Sequence, residues 1–290
     1  MSQLRRRAEA ATAADEARVN YRHAYHAGNF ADVMKHTALI AIVDYLKKKD
    51  KPFRAIDTHA GRGLYDLAGH EAVRTKEART GIARLKGLAD MPEALRRYVE
   101  VVESFGGETY PGSPMILEKT LRLEDRLTAI EKQPEEYEAL AAALRPYANA
   151  SALQADGYTR LSAILPPAER RGLVLIDPPY EALDEFAQVA ATFAAAWTRF
   201  ATGVYLIWFP IKRLVDADIL AGEIRNQGVA KLLLLTLDVG RAADTPPDRL
   251  SQCGLIAVNP PFGFAETMTE ALGFLAQHLA QGPGAGWRIT

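Results

Sequence analysis

Apolar runs of strand length recur along the chain and alternate with segments of helical periodicity. The runs are Phe53–Asp57, Leu127–Glu131, Ser151–Ala155, Gly172–Asp177, Gly203–Phe209, Lys231–Asp238 and Gly254–Asn259. Apolar residues at helical spacing lie between most of them, as in Phe186–Phe200 and Leu214–Gln227. This alternation predicts an α/β domain whose mostly parallel sheet is covered by helices on both faces.

The last two strands are connected differently from the others. Only a turn-rich stretch, Gly240–Ser251, separates Lys231–Asp238 from Gly254–Asn259. Parallel neighbours need a long crossover, so the short connection predicts an antiparallel hairpin. We therefore expect a Rossmann-like, seven-stranded, mostly parallel sheet with an antiparallel last strand.

The connection between the first two strands is unusually long. Glu131 lies 68 residues after Gly63, whereas a dinucleotide-binding unit places its acidic ribose ligand about 20 residues past the glycine turn. A small helical insertion subdomain at about 65–108, with helical spacing over Thr80–Leu88 and Pro92–Phe105, explains the excess. Ser113 then predicts the cap of a new helix. We divide the chain into an extension over residues 1–20 and a domain over residues 21–290 that carries this insertion.

The most specific chemical signal is the tetrapeptide Asp177-Pro178-Pro179-Tyr180, directly after an apolar strand. The Asp177 carboxylate and the Pro178 carbonyl can accept both hydrogens of an exocyclic amine, which steers the nitrogen lone pair out of the ring. The two prolines fix φ and lack N–H groups that would compete. Tyr180 offers a face for an extruded base. The pattern is typical of enzymes that methylate an amino group on a planar base; a proline-rich structural turn is the alternative.

A second match to the same pattern is Asn259-Pro260-Pro261-Phe262. It follows the predicted antiparallel strand, so it should lie at the opposite edge of the sheet. Ligands of open α/β sheets bind outside the carboxyl ends of the parallel strands. We therefore interpret Asn259 as structural.

Acidic residues end three successive predicted strands. Asp57 precedes the turn that contains Gly61, where glycine lets the backbone approach a ligand, and an acid at this strand end can meet a ligand amine. Glu131 is placed to accept both ribose hydroxyls of a nucleoside. Asp156, followed by Gly157, is placed to accept from the cofactor's adenine amine. Each acid alone could be a helix cap, but together they indicate a nucleoside-containing cofactor.

Five of the six histidines precede residue 71. A three-histidine metal site could be drawn from His23, His26, His36 and His59. Neither cysteine nor a closed ligand spacing supports it, so we expect no metal. We interpret residues 21–36 as a lid over cofactor and base, in which Lys35 and His36 open a helix on the cofactor side and His23 faces the substrate.

These segments resemble the bacterial 23S ribosomal RNA adenine-N6 methyltransferases of the RlmJ type. The resemblance covers nearly everything from residue 21 onward. Its motifs are Tyr21-Arg-His23, His26-Ala-Gly-Asn29, Lys35-His-Thr37, Asp57-Thr-His-Ala-Gly61, Tyr110-Pro-Gly-Ser-Pro114, Asp156-Gly157, Ile176-Asp-Pro-Pro-Tyr180 and Asn259-Pro-Pro261. Residues 1–20 have no counterpart in the family pattern.

The resemblance implies a class I methyltransferase fold with a helical subdomain, S-adenosyl-L-methionine as cofactor, S-adenosyl-L-homocysteine as product and 23S ribosomal RNA as substrate. It implies Asp177 as the catalytic acceptor and a substrate-side role for Tyr21. Its implied cofactor contacts are His36, His59, Ser113, Glu131, Asp156 and Gly157.

Composition adds little to this picture. The net charge of −1 gives no sign of a nucleic-acid partner, although 35 basic residues could still cluster on one face. The one cysteine, Cys253, excludes an internal disulfide and fits a reducing compartment. No apolar run approaches the roughly 20 residues of a membrane span. We expect a cytoplasmic monomer that does not bind membranes.

Two other functions use the same features. A DNA adenine-N6 methyltransferase would share the tetrapeptide, but it would normally carry an added domain that reads base edges. A catalytically inactive RNA-binding module would share the fold, yet the intact Asp177, Tyr180, Gly61 and Glu131 are unexpected in one.

Overall fold

The structure is a computed structural model, and it describes residues 25–70, 75–182, 184–212, 214–246 and 249–290. The predicted extension over residues 1–20 lies outside these ranges, as do Tyr21 and His23. The strands are β1 (Arg54–Asp57), β2 (Leu64–Asp66), β3 (Thr109–Pro111), β4 (Arg126–Glu131), β5 (Ala150–Gln154), β6 (Gly172–Ile176), β7 (Val204–Pro210), β8 (Leu232–Asp238), β9 (Gln252–Val258) and β10 (Gly286–Ile289). The helices are α1 (Phe30–Lys47), α2 (Glu77–Thr80), α3 (Glu93–Glu103), α4 (Ser113–Thr120), α5 (Pro134–Leu144), α6 (Gly157–Ile164), α7 (Glu185–Arg199), α8 (Leu214–Arg225) and α9 (Phe264–His278).

Eight strands of the described residues form one sheet in the order β10-β8-β9-β7-β6-β1-β4-β5. Strands β5, β4, β1, β6 and β7 are mutually parallel. Strand β9 runs antiparallel to both β7 and β8, so β8 has the direction of the parallel set. The predicted mostly parallel sheet with its antiparallel hairpin is confirmed.

The count of seven strands was wrong by one. The additional strand β10 pairs antiparallel with β8, with Trp287 opposite Leu237. Its two end residues are half-buried, and its central residues, Trp287 and Arg288, are exposed. A short edge strand with two exposed central residues lacks the apolar run that marks the other strands.

Helices cover both faces of the sheet, as the alternating pattern predicts. One apolar cluster packs α1, α3, α4, α5 and α9 against the sheet. A second packs α6, α7 and α8 against the other face. In the described part of the chain, no helix has both the length and the apolar character needed to cross a membrane.

Helix α1 begins before Lys35 and His36, the residues that were expected to open it. It starts at Phe30, and the Asn29 side chain caps it by accepting hydrogen bonds from the N–H groups of Ala31 and Asp32. Lys35 and His36 therefore lie in the second turn and do not open the helix, which corrects the sequence interpretation.

Between β1 and β4 the chain forms the antiparallel β2–β3 pair, with α2 and α3 between the two strands. The predicted helix Thr80–Leu88 is instead α2 followed, after Gly81, by a 3-10 turn over Ile82–Arg84. A Cβ on Gly81 would lie 2.1 Å from the Gly28 carbonyl oxygen, so this close approach interrupts the helix. The division into a domain and an inserted subdomain stays a prediction.

Candidate active site

Asp177 follows β6 directly and is bound by a lysine from α1. The Lys35 ammonium Nζ lies 2.5 Å from Asp177 Oδ2 and 2.9 Å from Asp32 Oδ1. The three side chains are 5%, 13% and 2% exposed for Lys35, Asp177 and Asp32. Burial lowers the pKa of Lys35, but the two carboxylates outweigh it and raise that pKa well above the ordinary value. Lys35 is therefore a cation in the site.

Asp32 holds Lys35 in place, and sequence reasoning missed it. Its Oδ2 accepts a hydrogen bond of 2.9 Å from the backbone N–H of Gly28, which leads into α1. The spacing of three residues between Asp32 and Lys35 places both side chains on one helix face. That spacing was the signal available in the sequence.

Tyr180 anchors the tetrapeptide turn. Its φ is +54°, its ring is 8% exposed, and its hydroxyl donates to the Trp208 carbonyl at 2.8 Å. The ring packs against Phe186 and Trp208, and Lys35 Nζ lies 5.9 Å from the Trp208 ring centroid. The open stacking face expected of Tyr180 is thus not present in this structure, and its stacking role stays a prediction. Trp208 is a neighbour of the site that sequence reasoning also missed.

The glycine turn after β1 is fastened to the end of β4. Glu131 accepts hydrogen bonds from the N–H of Gly61 at 2.9 Å and from the N–H of Gln133 at 2.7 Å. Gly61 has φ +61°, which glycine adopts at no steric cost. Burial raises the pKa of Glu131. Each carboxylate oxygen retains one lone pair, so the group can still accept two further hydrogen bonds.

Asp57 and Ser113 form a buried pair beside this turn. The Ser113 hydroxyl donates to Asp57 Oδ2 at 2.6 Å, and burial is the main cause that raises the pKa of Asp57 to about 7. Ser113 is the first residue of α4, whereas Gly112 occupies the cap position without a side-chain bond. The prediction that Ser113 caps the helix was therefore wrong, because its hydroxyl is used across the site.

The end of β5 carries Asp156 and Gly157. Asp156 caps α6 and forms an ion pair of 3.0 Å with Lys132. A Cβ on Gly157 would lie 2.0 Å from the Thr58 carbonyl oxygen, so glycine is required for the turn and the helix to meet. His59 packs edge-on against Tyr158, and burial lowers the pKa of His59 to about 4. The imidazole is neutral at pH 7.

His36 points into the interior. It is 1% exposed, and its Nδ1 lies 2.8 Å from the hydroxyl of Tyr110, which is itself 3.0 Å from the hydroxyl of Tyr98. This chain of polar groups joins α1 to β3 and α3. The cofactor contact implied for His36 stays a prediction.

The second tetrapeptide lies at the opposite edge of the sheet. Val258 pairs with Tyr205, near the start of β7. The Asn259 amide donates to the carbonyls of Ala201 and Gly203, both at 2.9 Å. These bonds tie the loop before β7 to the end of β9. The predicted position of Asn259 at the opposite edge is confirmed, and its purely structural role stays a prediction.

Four acids thus stand along one edge of the sheet. Asp177, Asp57, Glu131 and Asp156 end the neighbouring strands β6, β1, β4 and β5. Neighbouring strands are roughly 4.8 Å apart, so the row spans about 14 Å, enough for a nucleoside and the group attached to it. Among the described residues, no group of three or more His, Cys, Asp or Glu could hold a metal ion.

A Rossmann-like sheet with these strand-end acids and an Asp-Pro-Pro-Tyr turn after β6 defines a class I methyltransferase. The sequence profile described as "Ribosomal RNA large subunit methyltransferase D, RlmJ" matches residues 50–290. The chain belongs to this family, and it is a methyltransferase.

Relatives and a solved structure agree with the assignment. The chain is 39% identical to ribosomal RNA large subunit methyltransferase J of Escherichia coli, over 90% of this chain and 94% of that protein. It is 36% identical to the protein of the same name from Haemophilus influenzae, over 93% of this chain and 98% of that one. A crystal structure of a Legionella pneumophila protein superposes with a TM-score of 0.81 at 32% identity, covering 91% of this chain and 98% of that one.

Proposed function

We propose that this protein transfers a methyl group from S-adenosyl-L-methionine to the exocyclic N6 amine of an adenine in 23S ribosomal RNA. The observation that carries the proposal is the buried contact of Lys35 with Asp177 at the end of β6. It holds an acceptor for an amine next to three strand-end acids that suit a nucleoside cofactor.

The cofactor fits the row of strand ends. Glu131 is positioned for the ribose hydroxyls, because each of its oxygens keeps a lone pair beyond the bonds to Gly61 and Gln133. Asp156 and Gly157 lie where the cofactor's adenine would, with His59 as a neutral neighbour. Asp57 and Ser113 face the methionine end. When bound, the cofactor supplies a methyl group on a positively charged sulfur.

The chain's own residues orient the nucleophile. An adenine amine attacks poorly while its lone pair is delocalised into the ring. Lys35 occupies Oδ2 of Asp177, and no donor among the described residues binds Oδ1, so Oδ1 can accept one N6–H while the Pro178 carbonyl accepts the other. As the N6–carbon bond forms, the carbon–sulfur bond breaks and a neutral thioether leaves. The extra proton on N6 then departs to Asp177 or to water.

The remaining roles are part of the same proposal. Pro178 and Tyr180 shape the turn that receives the adenine, and Tyr21 and His23, which lie outside the described residues, contribute to substrate binding. We place the protein in the cytoplasm as a monomer that uses no metal. Light scattering of the purified chain tests the monomer.

The test is methyl transfer to purified polymers. Deproteinised 23S ribosomal RNA and genomic DNA, both from a strain that lacks the gene, are incubated with enzyme and isotopically labelled cofactor. Each product is then digested to nucleosides and separated by mass spectrometry. We expect labelled N6-methyladenosine from the RNA alone. Label in DNA would favour the DNA methyltransferase, and cofactor binding without label in either polymer would refute the proposal.

A further inference from the structure

Four exposed cations lie within the segment 76–86, beside the start of α1. They are Lys76, Arg79, Arg84 and Lys86. Within the described ranges of the chain, none of them has a carboxylate at ion-pair distance. The segment's own acid, Glu77, is engaged elsewhere: its Oε2 accepts from the Asn29 amide at 2.9 Å and lies 3.0 Å from His26 Nδ1. The segment therefore presents a net positive surface.

The neighbouring helix α3 also carries basic residues, but these are paired with acidic side chains. Arg96 is bound by both Glu93 and Glu100. Arg97 lies 3.6 Å from Asp44 and 3.6 Å from Glu100. These charges are neutralised within the protein, so they offer little to an external anion.

The cationic segment is fastened to the same helix that supplies Lys35. The N–H of Ile82 donates to the Gly28 carbonyl at 2.9 Å, and Gly81 packs so closely on that carbonyl that a Cβ would not fit. With a rise of about 1.5 Å per residue, Lys35 lies about 9 Å along α1 from Asn29. The four cations therefore lie on a segment that is anchored about 9 Å along α1 from Lys35, the residue that binds Asp177.

We propose that Lys76, Arg79 and Lys86 form a phosphate-binding surface that holds the ribosomal RNA backbone next to the target adenine. Arg84 is left out of this surface because its guanidinium donates a hydrogen bond to the Ala280 carbonyl at 2.7 Å and so anchors the segment. This proposal rests on the proposed function and names which part of the protein grips the polymer. Contacts of this kind position the RNA without reading its sequence, and they release counterions.

A matched pair of double variants tests the surface. One carries Arg79→Gln and Lys86→Gln, and the control carries Arg96→Gln and Arg97→Gln, which removes the same charge from paired residues. Binding of deproteinised 23S ribosomal RNA is measured by filter retention from 50 to 300 mM salt, on the order of the range where phosphate contacts dominate. We expect the first variant to bind more weakly and to lower the slope of log affinity against log salt by about 1.5, and the control to match wild type. Cofactor affinity should be unchanged in both.

The possible outcomes distinguish a failure of the phosphate-binding surface from a failure of the proposed function. A wild-type slope in the first variant, or an equal loss in both variants, overturns the surface while wild-type methylation of the RNA still stands. If the wild-type enzyme methylates no ribosomal RNA, the proposed function fails whatever the slopes are.

Discussion

Lys35 Nζ lies 2.5 Å from Asp177 Oδ2, although the two residues are 142 positions apart in the chain. The contact joins α1 to the end of β6 and occupies one of the two carboxylate oxygens of Asp177. Much of the expected behaviour of the site follows from this pair and from Asp32 behind it.

Replacing Lys35 by methionine should abolish most of the turnover, because Asp177 then loses both its countercharge and its fixed orientation. We expect a loss of about 10²-fold or more in single-turnover rate, the scale of a mispositioned catalytic group. Asp32→Asn, which keeps an acceptor for the Lys35 ammonium, should lose less. Cofactor affinity, measured by calorimetry, should survive both changes. A near-native rate in the Lys35 variant would contradict the proposed orientation.

The two tetrapeptides should respond oppositely to substitution. Asp177→Ala should abolish methyl transfer, and Asp177→Asn should lose about 10²-fold or more, the scale of one acid–base contribution. Asn259→Ala removes two hydrogen bonds to carbonyls and should lower stability by about 1–3 kcal/mol while sparing the rate per folded molecule. The measurements are single-turnover transfer at saturating cofactor and thermal unfolding. Loss of the rate in the Asn259 variant alone would reverse the assignment.

Glu131→Ala should weaken cofactor binding. The proposed ribose contacts are two hydrogen bonds to a charged acceptor, each worth about 1.5–3 kcal/mol. Glu135→Ala, at an exposed acid in the first turn of α5, is the matched control and should bind as wild type. Calorimetric titration with S-adenosyl-L-methionine distinguishes them. Unchanged affinity in the Glu131 variant would remove that residue from the cofactor site.

Gly157→Ala and Gly222→Ala should change stability in opposite directions. At Gly157 the new methyl group meets the Thr58 carbonyl at 2.0 Å, and such overpacking costs about 1–3 kcal/mol or more. At Gly222, within α8, nothing lies within 4 Å of the new methyl group. Alanine there should stabilise by about 0.5–1 kcal/mol. Denaturant unfolding measures the free energy of unfolding of both variants. A Gly157→Ala variant as stable as wild type would show that the backbone can shift to accommodate the methyl group.

Asp57 should contribute less to the stability of the folded protein at neutral than at acidic pH. Burial raises its pKa in the fold to about 7, above the ordinary range of an aspartate, so its favourable contribution is full at low pH and is lost as the pH rises to that pKa. Asp57→Asn keeps an acceptor for Ser113 and cannot ionise. The variant's stability relative to wild type should therefore increase from about pH 4 to about pH 7, by about 1.4 kcal/mol for each pH step of one. Denaturant unfolding at several pH values measures this difference, and a pH-independent result would contradict its origin in Asp57.

Seven of the eight sheet strands could be predicted to within two residues, because each carries a run of apolar residues of strand length, and most of these runs are buried between two layers of helices. The position of Asp177 followed from the same runs, since the carboxyl ends of parallel strands share one edge. The exposed strand β10 carries no such pattern.

The start of α1 was beyond sequence reasoning for a different reason. Phe30, Val33 and Met34 continue the helical spacing of apolar residues, but the polar Asp32, Lys35 and His36 lie among them and obscure that pattern. All three are nevertheless buried, because their partners include Asp177 and Tyr110, which only the tertiary fold brings near. Ser113 was misplaced as a cap for the same reason, since Asp57 takes its hydroxyl.

The antiparallel direction of β9 suggests how to choose between two copies of a Pro-Pro tetrapeptide in other proteins. The direction of the preceding strand decides at which edge of the sheet a Pro-Pro tetrapeptide lies. That direction depends in turn on the connection that leads into the strand. A helical crossover delivers the tetrapeptide to the ligand edge, as with Asp177, and a hairpin delivers it to the far edge, as with Asn259. In an unaligned sequence with two copies of the motif, the length of the preceding connection therefore indicates which copy lies at the ligand edge of the sheet.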